Sequence, residues 1–222
     1  MAVMVSFQEW FQKYVRELNE AGVGSDDAAT AAHLGWAITL TDQACYGVES
    51  ATPVHFMAHP NPRHGHIVAG CGGARFKSEE CYLVYAPHLK SQLDRMEAEY
   101  GGQVERHVLM AGIAVHEVRH RIQDREAAAV RLFSRTGLAG DWYDEQAAQV
   151  ALNMYQQFAE WEAEDRAAGV PAEVRDRFYS DDEFDAAVVE RLLLHRYASL
   201  ETDAQLAQFV RMDCPKLRTF RG

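Results

Sequence analysis

Basic residues are the scarcer charge in this chain, with Lys and Arg numbering 22 against 33 Asp and Glu, for a formal net charge of −11. A surface of that sign argues against a nucleic-acid backbone or an anionic membrane face as partner, because phosphate binding needs clustered cations. Long apolar runs are missing as well. Nothing approaches the ~18 residues of a membrane span, and Met1 to Phe11 lacks a basic start followed by an apolar core. The expected compartment is therefore the cytoplasm. Cysteine is sparse and scattered. Cys45, Cys71, Cys81 and Cys214 form no Cys-x-x-Cys pair, which leaves zinc knuckles and redox motifs unsupported and predicts reduced, mostly buried thiols. No internal repeat or low-complexity segment is present.

What remains is ordinary for a soluble globular protein: 48% hydrophobic and 25% charged residues over 222 positions. That length predicts one domain over 1–222, with N-terminal helices at about 6–40 and C-terminal helices at about 171–213 packed on the core. Phe7, Trp10, Phe11, Tyr14, Val15 and Leu18 recur at helical spacing over 6–21. Ser25 with Asp26 and Asp27 opens a second helix running to about Leu40. The stretch 43–65 contains Pro53, Pro60 and Pro62 and has no sustained period, so it reads as a loop over the active site. It brings together His55, His59 and His64, with His66 just past its end, but without an acid among them and with prolines preventing a common helix face.

Two short strands are predicted within 65–76 and 81–86, then a helix over 88–100 that stops at Gly101-Gly102. A long helix follows from Gln103 through Arg135, with a bend expected near 123–125. Further helices are predicted over 142–168, 181–199 and 202–212. The expected fold class is α+β and mostly α-helical, with a small sheet before the long helix.

The long helix carries the chemistry. His116-Glu117-Val118-Arg119-His120 sets two histidines four apart, one turn above each other on one face, where both imidazoles can reach one cation. Glu117 projects roughly 100° around the helix, close enough to handle a water on that cation. Leu109, Gly112, Ile113 and Gln123 share the histidine side, while Ala111, Ala114, Val115, Val118 and Ile122 form an apolar back. A helix of that pattern is buried on both sides. Gly112 costs about 1 kcal/mol relative to alanine inside a helix, so it wants a reason, such as room for a ligand or a neighbouring strand.

Catalytic zinc sites use three protein ligands and leave a position for water. Glu145, 25 residues beyond His120, opens a helix in which the small Ala148 stands one turn on. Asp144, with Asp141 behind it, points further into the apolar stripe of that helix and is the rival third ligand.

The pattern His116-Glu117-x-x-His120-x-x-Gln123 followed by Glu145-x-x-Ala148 resembles the gluzincin-type zinc metallopeptidases, particularly small minimal members related to the ImmA and IrrE proteins. The resemblance covers roughly 81–155. It implies a zincin-like core, Zn2+ held by His116, His120 and Glu145, and Glu117 as general base. It implies hydrolysis of a peptide bond in a protein or peptide substrate, with a zinc-stabilised interaction module of degenerate site as the alternative. Where many relatives brace a zinc histidine with an acid or amide just past the alanine, this chain has Gln149. Tyr143, Tyr155, His107 and His195 are the oxyanion donors to consider. An extended substrate would add to a sheet edge, for which 81–85 is the expected strand. Oligomeric state is left open.

Overall fold

The structure is a computed structural model and describes residues 6–47, 52–60, 68–71, 81–126, 133–135, 137–138 and 145–197. The predicted helix over 202–212 lies outside them, as do His64, His66, Asp141, Tyr143, Asp144 and Cys214.

The chain opens with α1 (Phe7–Glu20) and α2 (Ser25–Tyr46). A capping box starts α1: Glu9 N–H donates to Ser6 Oγ at 3.2 Å, and Ser6 N–H donates to Glu9 Oε2 at 3.0 Å. The aromatic stripe of α1 then packs on α2, with the Trp10 indole donating to Ala32 O at 3.0 Å. Helix α2 runs past the expected Leu40 because Thr41, Asp42 and Cys45 are themselves buried.

The stretch read as a loop contains a strand, β1 (Val54–Met57), missing from the sequence prediction. With β2 (Val68–Cys71) and β3 (Cys81–Tyr85) it forms a three-stranded sheet in the order β1-β3-β2, parallel between β1 and β3 and antiparallel between β2 and β3. The strand expected at the substrate edge, β3, is therefore the central one, and its backbone is engaged on both sides. Gly35 of α2 makes the sheet contact close, since a Cβ there would meet Phe56 Cζ at 2.5 Å. Cys81 is disulfide-bonded, against the expectation of reduced thiols, and stands opposite Cys71 in the ladder; Cys45 is buried.

His88, at φ 65°, begins α3 (Leu89–Glu99), whose first turn is capped from α2 by Asp27 accepting from the His88 and Lys90 N–H groups at 2.9 Å each. The motif helix α4 (Arg106–Glu126) follows and does not reach Arg135. Instead β4 (Phe133–Ser134) and β5 (Gly137–Leu138) pair as a small hairpin, with Phe133 buried and its N–H donating to Asp185 at 2.9 Å. Then come α5 (Glu145–Ala167), a short α6 (Ala172–Phe178) not foreseen from sequence, and α7 (Asp181–Tyr197). The fold is thus mostly α-helical α+β, and no helix among the described residues is long and apolar enough to cross a membrane.

Helix α4 is the centre of the molecule, packed between α2 and α7 with β2 beside it. Two buried ion pairs pin it from opposite sides. Arg121 pairs with Asp42 of α2, which also accepts from Tyr82 Oη of β3 at 3.0 Å and Thr52 N at 2.7 Å. Arg119, fully buried, donates through Nε to Asp185 Oδ2 of α7 at 2.8 Å. Buried charges persist only when so paired, and removing one partner costs about 3–5 kcal/mol.

Candidate metal centre

Helices α4 and α7 lie antiparallel. Gly112 faces Leu194 and Glu190, His116 faces Glu190 and Glu183, and Gln123 faces Asp182. Gly112 is what allows the approach: a Cβ there would stand 2.8 Å from Leu194 Cδ2 and 3.3 Å from Glu190 Cγ. The space expected for a ligand or a strand is filled by a helix. On the α7 side, Glu183, Ala187 and Glu190 share one face at i, i+4 and i+7, with small, buried Ala187 between the two acids.

The two histidines converge as their spacing predicted. His116 Nε2 and His120 Nε2 are 3.1 Å apart, and Glu183 Oε2 lies 3.5 Å from the first and 3.3 Å from the second. This is the metal-ligand grouping of His, Cys, Asp and Glu found among the described residues. A tetrahedral ion with bonds of about 2.0–2.1 Å holds its ligand atoms about 3.3 Å apart, so the triangle has the size of one tetrahedral face. Side-chain exposures of 19%, 24% and 27% for His116, His120 and Glu183 leave the group partly reachable from solvent. The far nitrogens are also engaged: His116 Nδ1 is 3.0 Å from Glu190 Oε2, and His120 Nδ1 is 2.9 Å from Gln123 Oε1.

The charges respond accordingly. Burial alone would lower both imidazoles, but the Glu183 and Glu190 carboxylates outweigh it for His116, as Glu183 does for His120, holding both above the usual histidine range. Burial pushes Glu183 up, and hydrogen bonds to the two imidazoles overcome it, holding the carboxyl well below its usual range. Glu117 is partly buried, and that burial raises its carboxyl although both histidines pull the other way. Protons and a cation therefore compete for the same three atoms.

Glu145 does not join this group. It opens α5 with its side chain exposed, and α5 packs on α7 rather than along α4, so its first turn is not carried to the imidazoles. The acid that stands beside the two imidazoles is Glu183, which sequence reasoning missed although the helix bearing it was predicted. Gln149 bonds Asn153 at 2.8 Å and no histidine among the described residues; the groups beside the far ring nitrogens are Glu190 and Gln123. His55 within β1 and His59 just after it are exposed and stand outside the grouping. Of the oxyanion donors considered, Tyr155 is exposed on α5, His107 is nine residues before His116, about 13 Å along the helix, and His195 is exposed beyond Glu190. No family model, curated protein or solved structure matches the chain.

Proposed function

We propose that the chain is a zinc metallopeptidase with a zincin-like core, in which His116, His120 and Glu183 hold the ion and Glu117 is the general base. The observation that carries this reading is the triangle of donor atoms with edges of 3.1, 3.3 and 3.5 Å, beside an acid of the same helix. When bound, zinc supplies Lewis-acid polarisation of a carbonyl and a more acidic water at the open corner. Glu117, with no hydrogen bond to its carboxylate among the described residues and with burial raising its proton affinity, takes the proton of the attacking water and passes it to the leaving amine. An extended peptide pairs with the sheet at β2, which runs beside α4 and is an outer strand of the sheet among the described residues.

The test is a pair of measurements on purified protein. Stoichiometric zinc with cleavage of members of a broad peptide library is expected, and Glu117→Gln keeps the zinc while losing cleavage. Cleavage retained by that variant would reject the mechanism. A second reading, a zinc-stabilised interaction module without turnover, is favoured by one observation: Tyr155, His107 and His195 do not stand at the site. Zinc binding with no cleavage by wild type would select it.

A further inference from the structure

We infer that Gln123 is a positioning residue that sets the ring-proton position of His120, anchored by the buried Arg119–Asp185 pair; the inference rests on the metal reading above. One end of the Gln123 amide is 2.8 Å from Asp185 Oδ2 and 3.1 Å from the Asp182 backbone oxygen. Both of those partners are acceptors, so this end is the NH2 and the other end is the carbonyl oxygen. Asp185 has little freedom to turn away. Its Oδ2 also accepts from Arg119 Nε at 2.8 Å, its Oδ1 accepts from Phe133 N–H at 2.9 Å, and its side chain is fully buried.

The carbonyl end of Gln123 stands 2.9 Å from His120 Nδ1 and has no proton to offer. His120 therefore carries its ring proton on Nδ1. In the neutral ring the lone pair is then on Nε2, the atom aimed at His116 Nε2 and Glu183 Oε2. The chain Arg119, Asp185, Gln123, His120 thus transmits an orientation from the core to one ligand atom. Glu190 does the corresponding work for His116 from α7, with a charged acceptor in place of a neutral one.

Gln123→Met keeps the side-chain length and removes the acceptor. Proton NMR of the zinc-loaded wild type is expected to show two downfield, exchange-protected Nδ1–H resonances. In Gln123→Met the His120 resonance is lost and the His116 resonance stays, with zinc affinity in a competitor titration falling about 10- to 100-fold. Glu190→Gln moves the His116 resonance and leaves that of His120. The ring 15N shifts of His120 in the wild type, expected to show a protonated Nδ1 and an unprotonated Nε2, test the proton position directly should the methionine variant fold poorly, and a proton found on Nε2 would overturn the inference. Wild type that binds zinc, with Gln123→Met unchanged in both resonances and affinity, would overturn the inference and leave the metal reading standing. Wild type that binds no zinc sinks both.

Discussion

Gly112→Ala tests the geometry that brings α7 to the histidines. The new Cβ would lie 2.8 Å from Leu194 Cδ2, 3.2 Å from Leu194 Cγ and 3.3 Å from Glu190 Cγ. Leu194 is 2% exposed, so it cannot swing into solvent, and relief to ordinary contact requires α7 to retreat by roughly 0.5 Å. Two terms then oppose each other. Replacing a helical glycine by alanine gains about 1 kcal/mol, and overpacking a filled core costs about 1–3 kcal/mol. The expected net is a loss of about 0–2 kcal/mol, a fall in Tm of up to about 8 °C for a chain of this size. The effect on metal is sharper, because a binding constellation tolerates only about 0.5 Å of displacement. Glu183 and Glu190 both ride on α7, so zinc affinity is expected to drop at least tenfold. Gly35→Ala is the matched control: its Cβ would collide with the half-buried Phe56 ring, away from the site, and should lower Tm with zinc affinity intact. Differential scanning calorimetry and a competitor titration read both quantities. If Gly112→Ala raises Tm by the propensity gain and binds zinc like wild type, the close approach of α4 and α7 is wrong.

Three further outcomes follow from the same geometry. Glu183→Ala should abolish stoichiometric zinc while Glu145→Ala retains it, measured by metal analysis after dialysis; the reverse pattern would return the third ligand to α5. Arg119→Met, which leaves Asp185 buried without its cation, should cost about 3–5 kcal/mol in urea unfolding; a loss under 1 kcal/mol would mean that the pair is not formed. The pH dependence has opposite signs with and without metal. Without zinc, the raised His116 and His120 contribute stability that is full below their unfolded value of about 6.5 and is lost as pH climbs through their folded values. The lowered Glu183 contributes above about 4.3 and loses it as pH falls through its depressed value. Metal-free protein should therefore gain most from this cluster between about pH 4.3 and 6.5, whereas the increment in Tm on adding zinc grows as pH rises. An increment that shrinks from pH 6 to 8 would contradict the proton–metal competition.

The half of the centre that lies on α4 was legible because it is local. A spacing of four on one helix places His116 and His120 together whatever surrounds them, and the residues around them gave the burial. The acid was not legible because it is delivered by packing between segments far apart in sequence. Glu145 sits at the opening of a helix, where the helix dipole alone accounts for a carboxylate. Glu183, Ala187 and Glu190 instead interrupt one face of a helix whose other positions, Phe184, Val188, Val189 and Leu192, are core. Acids seven apart across an alanine on an otherwise buried helix need a cationic or proton-donating partner, and that was the available signal.

The same distinction accounts for the rest of the fold. Helices α1, α3 and α7 announced themselves by periodicity and end signals, and their observed bounds fall within two residues of the predicted ones. Strand β1 did not, since four residues following a proline carry too short an alternation, and its existence depends on pairing with β3. Once β1 is in place β3 becomes central, and β1 and β2 flank it among the described residues. Arg119 and Arg121 show why burial had to come from tertiary structure. On a helical wheel they sit as charges beside the two histidines and suggest solvent, yet Asp185 and Asp42 arrive from α7 and α2 to neutralise them. The motif helix can be buried on both sides only because its two arginines are paired, and one of those pairs also holds the amide that orients His120.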